Sequence, residues 1–269
     1  MKSVKDAVVL ITGGGSGIGR LMALDFASRG AKVVIWDLND QSIKLVEDEA
    51  AQKGVTVRGM LCDVSRREDV YRQAENIVKE LGPVDILINN AGVVSGKPML
   101  ETPDDRIEKT MQVNVLALFW TAKAFLPRMI ERNTGHIVTI SSAAGLIGVR
   151  GLADYCASKF AAYGFDESIR MELRRSKSKV RTTVVCPFFI DTGMFSGVKT
   201  RFPFLLPILK SSYAARKIVL AILKNKRRLV MPRFVSTLFL LRLFPIPWVD
   251  AIADFVGISH SMDEFKGRG

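Results

Sequence analysis

The sequence predicts an α/β fold: a single domain on a doubly wound, all-parallel sheet of seven strands, with an apolar and basic C-terminal extension. Three observations carry this. Seven short apolar runs alternate with helical patterns along residues 7–231. The runs are continuous Val/Ile/Leu stretches, as in strands covered on both faces, rather than alternating ones. No proline- or serine-rich linker, low-complexity tract or internal repeat divides the 269 residues, and with 48% hydrophobic residues such a chain buries a full core as one unit.

In chain order, strand-length runs lie at residues 7–11, 32–36, 55–61, 84–88, 136–140, 181–185 and 228–231. Helical patterns fall between them at 17–29, 40–52, 66–81, 104–131, 154–175 and 212–224. Right-handed crossovers wind these helices onto both faces of the sheet, and ligands of such sheets sit beyond the carboxyl ends of the strands. Residues 1–231 are the expected sheet-bearing unit, with a loop at 188–212 on the ligand side; residues 232–269 are the extension. No apolar signal core or spanning helix precedes the first strand, so nothing there is expected to direct export.

Cys62, Cys156 and Cys186 are odd in number and sit inside apolar runs, which fits buried, reduced thiols in a cytoplasmic setting rather than a disulfide framework. With only His136 and His260, and no paired Cys/His spacing, no metal is expected. The net charge of +12 is concentrated: residues 192–249 hold no Asp or Glu and eleven Lys or Arg.

The first strand runs into Thr12-Gly13-Gly14-Gly15-Ser16-Gly17-Ile18-Gly19, and a helical pattern follows. This context lifts the glycine pattern above a ligand-free turn. Gly13 allows the tight turn, Gly17 close approach of backbone to a pyrophosphate and Gly19 close helix packing, with helix N-terminal N–H groups, beginning at Ser16 and Ile18, facing phosphate. The sheet is then Rossmann-type. Asp37 ends the second strand eighteen residues past Gly19, near the spacing at which an acid accepts the ribose hydroxyls. A 2′-phosphate would meet like charge there, which favours NAD over NADP, although Arg20 and Lys44 could partly offset the repulsion. Without the glycine turn, Asp37 would read as a helix cap or a solvated turn.

Tyr155 and Lys159 are i and i+4 on a predicted helix, so the ammonium shares a face with the phenol. A phenol with an ordinary pKa of about 10 needs ~4 kcal/mol of differential stabilisation of the phenolate to serve as a base near neutrality, and Lys159 with a positive nicotinamide ring could supply it. Ser142, just past the fifth strand, could hydrogen-bond a substrate oxygen. Alone, the Tyr/Lys pair reads as a surface helix contact and Ser142 as a turn residue. Their order behind a glycine turn and an acid selects nicotinamide-dependent alcohol/ketone chemistry.

Over residues 4–231 the chain resembles the short-chain dehydrogenase/reductase family. The matching motifs are residues 12–19, Asp63 after the third strand, Asn89-Asn90-Ala91-Gly92, Asn114, Ser142, and Tyr155-Cys156-Ala157-Ser158-Lys159. The resemblance implies that Asp63 and Val64 flank the adenine and that Asn90, Ala91 and Gly92 line the cofactor channel. It implies that Lys159 binds the nicotinamide ribose, that Asn114 holds a water linking Lys159 to solvent, and that Ile190 and Thr192 contact the carboxamide. A departure follows the sixth strand, where the family's Pro-Gly is Pro187-Phe188. The run through Phe189, Met194 and Phe195 and the ending at 253–258 are similar to a subgroup holding epidermal-type retinol dehydrogenases and lipid-droplet 17-beta-hydroxysteroid dehydrogenases. The resemblance also implies a homodimer or homotetramer, with helices 104–131 and 154–175 as its faces.

Phe188, Phe189, Met194, Phe195, Phe202, Phe204, Leu205 and Leu206 crowd the expected substrate loop. Their apolar density suits a lipophilic alcohol (a retinoid, a steroid or a long chain), although each could equally pack into the core. Residues 234–244 form an apolar helical stretch broken by Arg242, too short to span a bilayer. With the basic charge of 192–249 it suits peripheral contact with a membrane or lipid droplet, or a solvated basic face over a packed helix. No base-stacking platform or reading helix points to nucleic acid. Two other readings stand beside the dehydrogenase: a reductase of a keto or 3-oxoacyl intermediate, and a non-catalytic lipid-surface scaffold.

Overall fold

Side-chain alternation along each buried strand builds two cores from one sheet. In β1 (Val8–Thr12), Val9 and Ile11 enter one core and Val8 and Leu10 the other; in β4 (Ile86–Asn89), Ile86 and Ile88 oppose Leu87 in the same way. The computed structural model describes residues 3–267. With β2 (Lys32–Asp37), β3 (Val57–Leu61), β5 (His136–Ile140), β6 (Arg181–Pro187) and β7 (Arg228–Met231), the strands form a seven-stranded parallel sheet in the order β3-β2-β1-β4-β5-β6-β7. The strand order reverses between β1 and β4, and a crevice opens there beyond their carboxyl ends.

Helices α1 (Gly17–Ser28), α2 (Asp40–Gln52) and a helix at Ser211–Leu223 cover one face; α3 (Arg67–Leu81) and two long helical runs cover the other. The helix expected over 104–131 is three pieces: α4 (Asp104–Met111), a π-helical turn Gln112–Leu116, and α5 (Ala117–Glu131). The π turn is where Asn114 sits, hydrogen-bonded to the Val93 backbone in the loop that follows β4. The whole run is long and apolar enough to cross a membrane by composition, with 44% of its most apolar window buried against the fold. Helix α6 (Ala153–Arg175) carries Tyr155 and Lys159, and α7 is the Ser211–Leu223 helix.

The C-terminal extension differs from the expected single helix over 234–244. A 3-10 segment Arg233–Thr237 leads into one α turn, α8 (Leu238–Leu241), and then α9 (Ile246–Phe255). Pro245 is the N-cap of α9 and Pro247 lies in its first turn, where a missing N–H costs nothing. Val235 and Leu238 pack with Val184 and Cys186 of β6 and with Leu206, which seats the extension over the carboxyl end of the sheet.

Candidate active site

The crevice is a cavity of about 270 Å³ running from the glycine turn to Tyr155. Hydrogen bonds staple its two sides. Thr12 Oγ1 accepts from the N–H groups of Asn90 and Ala91, both at 3.0 Å, and Asn90 Nδ2 donates to the carbonyls of Thr12 at 2.9 Å and Gly13 at 3.0 Å. This closeness demands glycine: Gly13 has φ +62°, and a Cβ there would lie 2.9 Å from Ala91 Cα, while a Cβ at Gly19 would overlap the Gly13 carbonyl oxygen. The result is a cradle of bare backbone at the start of α1, with Gly13, Ser16, Gly17, Ile18 and Gly19 lining the cavity. A pyrophosphate fits that cradle in shape and in dipole.

Asp37 closes the outer wall. Its Oδ2 accepts the Gly15 N–H at 2.9 Å and its Oδ1 the Asn39 N–H at 3.1 Å. The two cations that could have neutralised a phosphate there are engaged with their own acids, Arg20 with Glu49 and Lys44 with Asp40. Asp63 and Val64 line the cavity further along. Burial pushes the Asp63 carboxyl up, but hydrogen bonds from Ser65 and the nearby Lys109 ammonium outweigh it and leave the group below its ordinary value.

At the inner end, Ser142, Tyr155 and Lys159 converge on the cavity with Gly92, Pro187, Ile190 and Thr192. Ser142 follows β5 in extended conformation, its Oγ accepting the Ala144 N–H at 3.1 Å and donating to the Pro187 carbonyl at 3.4 Å. Tyr155 is 5% exposed, and Lys159 Nζ stands 5.5 Å from its ring centroid while donating to the Ile140 carbonyl at 3.0 Å. Asn114 stays behind the wall. Its Oδ1 accepts the Val93 N–H at 2.9 Å, and its Nδ2 donates to the Val93 carbonyl at 2.9 Å and Ser158 Oγ at 3.0 Å. Thr12 likewise supports the cavity from behind.

The sequence profile of the short chain dehydrogenase family matches residues 7–201. The chain belongs to the short-chain dehydrogenase/reductase family. It is 52% identical over 270 residues to epidermal retinol dehydrogenase 2 of Mus musculus, covering 99% of this chain and 87% of that one. To human retinol dehydrogenase 10 it is 44% identical over 294 residues, covering 98% and 86%. Among solved structures, a short-chain dehydrogenase/reductase from Burkholderia phymatum in complex with NAD superposes with a TM-score of 0.81 at 27% identity, covering 90% of this chain and 95% of that one. A metagenomic short-chain oxidoreductase in complex with NADP superposes with 0.71 at 27% identity, covering 86% and 97%. This short-chain dehydrogenase/reductase is thus an oxidoreductase of CH–OH groups in the retinol dehydrogenase-like subgroup, with a nicotinamide dinucleotide as cofactor.

Electrostatics at the dehydrogenase's inner end run against the sequence expectation for the phenol. Burial pushes Tyr155 up from its ordinary value, with the Ser142 hydrogen bond pulling the other way. The same burial brings the Lys159 ammonium down to about 8. Desolvation, which no sequence spacing reveals, is the larger effect on both groups in the protein alone.

Of the predicted substrate-loop residues, Phe188, Phe189, Met194, Phe195 and Leu206 line two cavities, whereas Phe202, Phe204 and Leu205 line neither and Phe204 is exposed. A second one, about 80 Å³ and almost wholly apolar, starts at the same Ser142 and Tyr155. Phe188 and Phe195 border both cavities, Phe189 only the apolar one and Met194 only the one that runs from the glycine turn. Phe195 stands edge-on to Tyr155 with ring centroids 5.6 Å apart, and Phe189 packs on Phe195 at 5.1 Å. Sequence reasoning missed much of the apolar cavity's far wall, which Leu238, Leu241, Ile252, Ala253, Val256 and Ile258 supply. It also missed Lys109, which donates to Ser65 Oγ at 2.8 Å beside Asp63 from 44 residues away. The helical pattern at 104–131 placed Lys109 on a helix; only the assembled fold brings that helix beside the loop that follows β3.

Proposed function

We propose that this dehydrogenase interconverts a lipophilic alcohol, of retinoid, steroid or long-chain type, and its carbonyl, with NAD as the preferred cofactor. One observation carries the reading: an almost wholly apolar cavity and the cavity that runs from the glycine turn meet at Ser142 and Tyr155. A hydroxyl at that junction would have the carbons nearest it in the apolar arm, where burial stabilises hydrocarbon by ~25 cal/mol per Å², and would face the cradle end with its reacting carbon. Two of the relatives are named for retinol, which suits this arm. The acid at Asp37, with Arg20 and Lys44 already engaged, supports NAD over NADP.

Glycines 13, 17 and 19 would hold the pyrophosphate, Asp37 the adenine ribose, Asp63 and Val64 the adenine, Lys159 the nicotinamide ribose, and Asn90 to Gly92 with Pro187, Ile190 and Thr192 the rest of the channel. The bound dinucleotide would supply the hydride acceptor. Tyr155 takes the alcohol proton. Ser142 orients the oxygen, its hydrogen bond lowering the phenol. Lys159, buried and held by the Ile140 carbonyl, brings positive charge to the phenol. Asn114 fixes the Val93 backbone beside Gly92, and the proton leaves toward solvent past it.

Exposed Phe119 and Ile130, with Leu126, Phe165 and Ile169, line a groove between α5 and α6 that suits a second copy of the chain. The test of the chemistry is Tyr155→Phe. Turnover falls by about a thousandfold or more while dinucleotide affinity, read by quenching of tryptophan fluorescence, changes by no more than about threefold. Appreciable turnover in that variant removes the mechanism.

A further inference from the structure

Asp154 is a buried carboxylate beside the phenol that takes no part in the proposed proton transfer. It lies in the first turn of α6, immediately before Tyr155, and is 7% exposed. Its Oδ1 accepts the Ser95 hydroxyl at 2.6 Å and its Oδ2 the Thr110 hydroxyl at 2.8 Å. Both donors are neutral and come from other parts of the chain. An acid that merely steadied the start of a helix would do so from the surface, with its charge in water. Burying it carries a desolvation cost that two hydroxyls offset only in part, which points to a role in fixing geometry.

What it fastens is the loop after β4. Gly92 and Val93 of that loop line the cofactor cavity, and Val94 packs against the apolar cluster that holds Tyr155, Phe189 and Met262. Asn114 grips the loop at Val93; Asp154 grips it two residues later, from α6. The next residue, Gly96, has φ +68°, and a Cβ there would overlap the ring of Phe265. Phe265 stands 6.4 Å from Phe195, ring to ring, and Phe195 stands edge-on to Tyr155 at 5.6 Å. The contacts thus close on themselves, from Tyr155 through Asp154, Ser95, Gly96, Phe265 and Phe195 back to the phenol. The hydrogen bond from Ser95 to Asp154 is the polar link in this circuit, and so the one with a set length and direction. Thr110, 1% exposed on α4, takes the second carboxylate oxygen and keeps the group from turning.

We propose that Asp154 is a positioning residue for Tyr155 and for the apolar wall at Phe195. By holding Ser95 it seats the 93–96 loop, Phe265 and Phe195 so that the phenol is aimed at the junction of the two cavities. Asp154 itself lines neither cavity, so it acts through these neighbours. The role rests on the alcohol chemistry proposed for Tyr155 and deepens it.

The experiment uses the full chain with NAD and the best of retinol, a 17-beta-hydroxysteroid and a long-chain alcohol. It measures kcat, KM and, by calorimetry, NAD affinity in the wild type, Asp154→Ala, Asp154→Asn, Ser95→Ala, Phe265→Ala and the Ser95→Ala/Phe265→Ala pair. Asp154→Ala lowers kcat about tenfold or more, since a small displacement of the reacting groups is costly. Asp154→Asn, whose amide accepts from one hydroxyl and donates to the other, stays within about threefold of the wild type. Ser95→Ala and Phe265→Ala each raise KM about severalfold, and the pair raises it no further than the larger single change, as residues on one circuit do. NAD affinity moves by no more than about threefold throughout, because Asn114 still holds Val93. Wild-type kcat in Asp154→Ala overturns the proposal, as do single effects that multiply in the pair or an Asp154→Asn as impaired as Asp154→Ala. Should Asp154→Ala fail to fold, the Ser95 and Phe265 cycle decides. A wild type as inactive as Tyr155→Phe on every alcohol sinks the chemistry and this role together. An active wild type, an inactive Tyr155→Phe and unaffected Asp154 and Ser95 variants overturn this role alone.

Discussion

Asp166 offers a quantitative test of the packing, because nothing in the proposed chemistry uses it. It lies on α6, is 2% exposed, and accepts one hydrogen bond, from Thr182 Oγ1 at 3.2 Å, while its Oδ1 is buried without a partner. Burial raises its carboxyl to about 7; the Thr182 bond and Arg170 pull it down and Glu167 pushes it up. An acid raised by folding binds its proton more tightly folded than unfolded. Between the ordinary carboxyl value of 3.8 and about 7 the folded state therefore holds more protons, so stability falls as pH rises through that window, and above it the whole cost is present. That gap corresponds to ~4 kcal/mol. Asp166→Asn keeps an acceptor for Thr182 and removes the charge. In urea denaturation, the advantage of the variant over wild type should be smallest near about pH 4 and grow by ~4 kcal/mol by about pH 8. An offset that stays flat across that range, or a variant that loses ground as pH rises, would refute the argument that this carboxylate is buried at a cost.

Asp37→Ala removes a charge from the ribose end, and a like-charge contact worth about 1–4 kcal/mol implies that the NADP-to-NAD ratio of kcat/KM rises about tenfold or more; an unchanged ratio in steady-state assays excludes Asp37 as the discriminating group. Gly19→Ala drives a methyl into the Gly13 carbonyl, so NAD binding measured by calorimetry should weaken by at least about tenfold, and full affinity would contradict the cradle. Phe265 lies against Gly96 and near Phe195, at 6.4 Å between rings, while Lys266 N–H bonds the Ser196 carbonyl at 2.9 Å. Phe265→Ala should therefore loosen Phe195, raising KM for an apolar alcohol about severalfold with NAD affinity unchanged; an unmoved KM would show that Phe195 stands without this support.

The sheet was legible because its buried strands carry their own signal: runs such as Val8-Val9-Leu10-Ile11 need no tertiary information to be read as strands covered on both faces. The glycine turn and the Tyr155/Lys159 pair were legible because their function depends on local spacing. Lys109 was not, since its place beside Asp63 is set by where the fold brings α4 relative to the loop after β3. The walls supplied by α8 and α9 were hidden by Pro245 and Pro247, whose sequence signal is the same at the start of a helix as after its end. The upward push on Tyr155 was missed because burial is a property of the assembled fold.

The most direct test of the account is NADH formation from retinol, a 17-beta-hydroxysteroid and a plain long-chain alcohol, each with NAD and with NADP, by the wild type and Tyr155→Phe. The account predicts turnover of at least one apolar alcohol, faster with NAD and lost in the variant. Turnover confined to small polar alcohols, or of keto substrates with NADPH alone, would contradict it.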